Sequence, residues 1–227
     1  MTEGATWSQY LGALLDELPV LARSISTHTH EHVRELLGDA THLASRQQLL
    51  AVDHLLRTQA TRFSDSLAAA LHAQVLDGEQ GATHDPGERS AEGDAPAGQA
   101  LEQARTVGLI ESVAYWELRE LQGLCASLRR ARSIGPEQNP LRPQMCVRAF
   151  LIALEEAGFD EATRTVVLRA SGSPLAAVLR DFYVQQSRRL VRRDVPAATP
   201  SLADRISAAQ RPIEVTAKRT ERRGDRG

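Results

Sequence analysis

His28-Thr29-His30-Glu31-His32 is the stretch whose residue types come nearest to chemistry. On a helix His28, Glu31 and His32 fall at i, i+3 and i+4 and share a face. The spacing matches H-x-x-E-H, in which two histidines hold a zinc ion and the glutamate acts as base. Such a site needs a third ligand from another element, and the nearest acid, Glu35, lies one turn further along the same helix. His42, His54 and His72 are scattered, and Cys125 and Cys146 have no close partner in sequence. A metal-dependent hydrolase using His28, Glu31 and His32 therefore stands as an alternative. The simpler reading is a solvated polar helix segment, because a short motif without its context is weak evidence.

A second group is cationic. Arg188, Arg189, Arg192 and Arg193 end the last apolar-periodic segment. Cations at a helix C-terminus offset its dipole, and that alone accounts for them. The functional alternative is an anion or acidic-partner patch, up to a regulator that answers to a nucleotide. Lys218, Arg219, Arg222, Arg223 and Arg226 crowd the C-terminal tail without interleaved aromatics, which argues against sequence-specific nucleic-acid recognition. Tyr115 and Trp116 are adjacent within a helical pattern. They cannot face the same way, so one belongs to a core and the other to a rim or partner surface. No Ser/His/Asp or Cys/His pairing emerges from residue order, no catalytic residue is assigned, and no cofactor is expected.

The elements that must carry these residues read as helices throughout. The 227 residues are 42% hydrophobic and 25% charged, enough to bury a core. Aromatics are only 4%, and the apolar content is mostly Leu, Ala and Val, which favours helix. A net charge of −2 gives no basis for polyelectrolyte binding. The start carries Glu3 and no basic n-region, unlike a signal peptide. No apolar run reaches the roughly 18–20 residues that span a bilayer. Two cysteines in apolar stretches read as buried thiols, and a cytoplasmic setting is the expectation.

A first short helix is expected over Trp7 to Leu18, then a second, opened by Pro19, ending at Gly38. From Thr41 to Leu76 neither Gly nor Pro interrupts. A helix over that span would exceed about 50 Å and needs a partner along its length. Residues 77–99 hold five glycines, two prolines and six acids against one arginine, which predicts a disordered acidic linker. The stripe Val107, Ile110, Ala114, Leu118, Leu121, Leu124 and Leu128 predicts a helix from Leu101 to about Ile134, stopped by Gly135-Pro136. Asn139-Pro140-Leu141-Arg142-Pro143 is the sharpest local signal. Its prolines force a turn, and Pro143 suits the first turn of a helix bearing Val147, Phe150, Leu151 and Leu154. Gly158 closes that helix. A short one from Asp160 to Ala170 follows, and Ser173-Pro174 would cap and open the last, ending at Val195-Pro196. The expected fold is an all-α, elongated multi-helix bundle of long antiparallel helices. Its parts are an N-terminal region (1–76), the linker (77–99), a C-terminal bundle (100–195) and a flexible basic tail (196–227).

Several stretches of the second half carry a family resemblance. They are Leu109-Ile110-Glu111, the helix ending in Leu128-Arg129-Arg130, the Asn139–Pro143 turn, and Leu179-Arg180-Asp181-Phe182-Tyr183 running towards Val195-Pro196. Together they resemble a bacterial domain-of-unknown-function family whose long members are often mislabelled thymidine phosphorylase. Arg46-Gln47-Gln48 with Phe63 is similar to that family's N-terminal region. The resemblance implies a helical regulatory or scaffolding protein of bacterial cytoplasm. It carries over no active site, and the chain has no glycine-rich phosphate loop to support phosphorylase chemistry. The function expected from the residues is that of a non-enzymatic adaptor or regulator, binding a protein partner or a second copy through its long helices.

Overall fold

Thr6 opens the first helix with a reciprocal cap. Its hydroxyl accepts from the Gln9 backbone N–H at 3.3 Å, and the Gln9 side chain accepts from the Thr6 N–H at 3.1 Å. The computed structural model describes residues 6–81, 97–131 and 133–196 of the chain. They form seven α-helices: α1 (Trp7–Asp39), α2 (Leu43–Thr58), α3 (Ala60–Gly81), α4 (Ala97–Val113), α5 (Tyr115–Arg129), α6 (Pro143–Glu156) and α7 (Glu161–Val191). A single 3-10 turn, Pro136–Gln138, precedes α6. Among the described residues there is no strand, so the fold is the all-α bundle the composition predicts. None of these helices is long and apolar enough to cross a membrane.

Two expected helix boundaries are not boundaries. Pro19 lies inside α1 and Pro174 inside α7, so each predicted pair of short helices is one long helix. A proline deprives the carbonyl four residues earlier of its partner, here Leu15 and Ala170. Burial on both sides of each proline offsets that loss. Leu14, Leu18, Leu21 and Ile25 flank Pro19, and Val167, Leu168, Leu175 and Leu179 flank Pro174, all almost fully buried. Ser173 is therefore not a cap. Gly38 likewise lies within α1, which runs to Asp39 with Ala40 as its C-cap.

Elsewhere a predicted single helix is bent. The Thr41–Leu76 span becomes α2 and α3, joined at Gln59, whose backbone leaves the helical region at φ −106°, ψ 12°. The ladder still continues, because the Gln59 N–H donates to Leu55 O and the Phe63 N–H to Gln59 O, both at 2.8 Å. Thr58 supplies the cause: its hydroxyl donates back to the carbonyls of His54 and Leu55, a pattern that bends helices. α4 and α5 meet in the same way at buried Ala114. α5 then ends at Arg129, short of the expected Ile134, because Arg130 turns left-handed at φ 53° and the Ala131 N–H reaches back to Ala126 O.

The stretch expected to be linker is partly helix. α3 runs on to Gly81 and α4 starts at Ala97, so Asp77, Gly78, Glu79 and Gly98 belong to helices. Residues 82–96 and 197–227, where the acidic linker and the basic tail were expected, lie outside the described residues.

α7 is the central helix, packing against α1, α2, α4, α5 and α6, while α3 lies between α1 and α6. Residues from both sides of 82–96 share one apolar core. Its aromatic centre is Phe63 of α3, set edge-on to Phe150 of α6 with centroids 5.4 Å apart, and Phe159 lies 6.5 Å away. α4 packs on α7 at Gly172, where a Cβ would stand 3.2 Å from a Leu109 methyl. Phe63→Ala removes the ring on which the two others converge. It is expected to lower unfolding free energy by about 3–5 kcal/mol, measured by urea denaturation followed by far-ultraviolet circular dichroism.

Candidate functional site

The Asn139–Pro143 turn anchors the C-terminal half of the structure. Asn139 is buried, its Oδ1 accepts from the Leu141 N–H at 3.0 Å, and its Nδ2 donates to Leu141 O at 3.2 Å. The same carbonyl accepts the Tyr183 hydroxyl at 3.0 Å and faces the Cys146 thiol at 3.9 Å. Asn139, Pro140 and Pro143 thus serve architecture, with Pro143 in the first turn of α6.

The thiols and phenols of the core are held protonated. Burial pushes Cys125 and Cys146 up to about 12, against some lowering from the neighbouring Tyr10 and Tyr183 hydroxyls. Burial also raises both tyrosines well above their ordinary value. Neither cysteine is a nucleophile at neutral pH, since the thiolate is the reactive form. Below the unfolded thiol value near 9 both states hold the proton. Above it the unfolded chain ionises first, so this contribution to stability is lost as pH climbs from about 9 to about 12. Denaturation midpoints measured across that range should fall, and a Cys125→Ser, Cys146→Ser double variant should fall less steeply.

The histidine cluster is not drawn together around a common point. The His28 Nδ1 lies 2.8 Å from Ser24 O, His32 pairs with Glu35 at 3.0 Å, and Glu31 is exposed. The intervening His30 reaches Asp53 at 2.8 Å and ties α1 to α2. Among the described residues no three His, Cys, Asp or Glu side chains could hold a metal ion. His28, Glu31 and His32 share a helix face without a third ligand facing them.

The arginines divide by role. Arg189 pairs with Glu17 and reaches Ala13 O at 3.4 Å, fastening α7 to α1. Gln186 donates to the same Glu17 carboxylate. Arg188, Arg189, Arg192 and Arg193 together line a groove of about 370 Å³ with Glu17, Gln185 and Gln186. Arg192 and Arg193 reach a larger cleft of about 1320 Å³, which also holds Thr6, Gln9 and Arg130. The N-terminus of a 33-residue helix and three arginines, Arg130, Arg192 and Arg193, so line one opening, with Asp16 and Asp194 also in its wall. Arg130 and Asp194 both have left-handed backbone, at φ 53° and 56°, where glycine is usual. Beside the cleft, Arg129 lies 3.9 Å over the Trp7 ring and pairs with Glu79, which also accepts from the Trp7 indole N–H. Sequence order gave no hint of Arg130 as a cleft residue. Thr6 could have been found from the Thr6-x-x-Gln9 capping pattern.

A second surface lies at the bend between α4 and α5. Trp116 is 77% exposed and Tyr115 43%, stacked edge-to-face with centroids 5.1 Å apart. Neither ring enters the core, contrary to the expectation that one would. Leu109 and Val113, one helical turn apart, are exposed in the two turns before them and extend the apolar surface into a ridge. Leu101 is exposed further back along α4, about 20 Å from the aromatic pair. Comparison with protein-family models, with curated proteins and with solved structures finds no match.

Proposed function

We propose that this protein is a non-catalytic helical adaptor or regulator that binds another protein surface through the α4–α5 ridge. The observation that carries the reading is the exposure of Trp116 at the crest of Leu109, Val113 and Tyr115. A tryptophan is among the side chains that yield most on desolvation at an interface. An apolar ridge left in water marks an interaction surface when its residues adjoin, whereas scattered apolar residues do not. A benzoylphenylalanine cross-linker replacing Trp116 in cells should give one discrete inter-chain adduct, absent when the probe replaces exposed Arg34 of α1. No adduct at position 116, or one formed only within the chain, would overturn the reading.

A second reading has its own support in the basic cleft. Thr6, Arg130, Arg192 and Arg193 surround an opening able to take a multiply charged anion such as a nucleotide phosphate. Calorimetric titration with inorganic pyrophosphate should show binding that weakens with salt. The affinity should fall about tenfold or more in Arg192→Ala, Arg193→Ala. Binding indifferent to both changes would eliminate it.

A further inference from the structure

We infer that the partner on the α4–α5 ridge is a second copy of this chain, docked antiparallel about a two-fold axis between Ser112 and Val113. The inference rests on the reading of the ridge as an interaction surface and names its occupant. A two-fold interface must be self-complementary: what one copy offers at a position, the other must accept at the mirror position. That axis sets Leu109 of one copy against Trp116 of the other, twice over. It also sets Arg105 of one against Glu120 of the other, again twice. Arg105 and Glu120 are both exposed, and among the described residues neither joins an ion pair.

The small residues fall where the large one needs room. Gly108 and Ser112 are exposed beside Leu109, whose one δ-methyl lies against Gly172 of α7 while the rest of its side chain is partly exposed. A Cβ placed on Gly108 would meet nothing within 4 Å. The indole of the other copy can therefore lie flat against the helix backbone beside Leu109. A parallel arrangement would place Arg105 on Arg105 and Glu120 on Glu120, and like charges opposed across an interface are unfavourable. Charge order along the helix so selects the antiparallel pairing, and the ridge supplies its apolar centre.

The test uses the full chain in sedimentation equilibrium, where a mass of twice 24.8 kDa is expected. Arg105→Glu and Glu120→Arg should each weaken the dimer about tenfold, and the two together should restore it. Trp116→Ala should dissociate it, with circular dichroism showing that helix content is unchanged. A monomer at every concentration overturns the inference. So does a dimer indifferent to Trp116→Ala, or a double charge swap as weak as its single parents. A monomer that still cross-links to another protein from position 116 defeats self-pairing alone. A monomer with no inter-chain adduct defeats the interaction reading as well.

Discussion

The carbonyl of Leu141 is the point on which the C-terminal half of the bundle depends. It lies buried in a loop, away from any helix ladder that could satisfy it, and an unpaired buried acceptor costs about 1–3 kcal/mol. Three donors converge there instead, from Asn139, Tyr183 and, more weakly, Cys146. Pro140 and Pro143 help by bringing no N–H groups of their own into the same buried loop. With the carbonyl pinned, the start of α6 is fixed and Phe150 meets Phe63. Tyr183 is fixed as well, and with it the rotation of α7 that buries Leu179, Gln186 and Leu190 along one side. The same rotation delivers Arg189 to Glu17, and Arg192 and Arg193 to the cleft.

Side-chain periodicity made the helices and their inner faces legible. Leu14 and Leu18, Phe63, Leu67 and Leu71, Phe150 and Leu154, and Leu179 and Leu190 all point into the core as their spacing requires. Helix ends were less legible, because proline and glycine act locally while burial is a property of the assembled bundle. At Pro19 and Pro174 the flanking leucines hold the helix together through the lost hydrogen bond. At Thr58 a polar side chain bends a helix that holds neither Gly nor Pro. The candidate surfaces were legible only in part. Arg192 and Arg193 stand out as a charge cluster, but Thr6 and Arg130 join them through the packing of α1, α5 and α7. Adjacent aromatics ordinarily divide between inside and outside. Tyr115 and Trp116, just past the bend at Ala114, are both exposed, and no local pattern signals that bend.

α5 connects the two surfaces. Its first residues carry Tyr115 and Trp116, its middle buries Leu118, Leu121, Leu124 and Cys125, and its end delivers Arg129 and Arg130. Over its length of about 20 Å it is held by the core and by the Trp7–Glu79–Arg129 contacts. The ridge and the cleft therefore occupy opposite ends of one rigid strut, and a ligand at either end acts on an element fixed at its middle.

Most small helical bundles assemble quickly because their contacts are local in sequence. Here Glu17 finds Arg189 and Gln186 only after about 170 intervening residues, and Leu141 waits for Tyr183. During synthesis α1 emerges from the ribosome with its apolar face bare; α2 and α3 cover part of that face, and the part that packs on α7 stays uncovered until α7 follows. The nascent chain must therefore stay unaggregated while the roughly 170 residues between Glu17 and Arg189 are made, before α1 and α7 can close on each other.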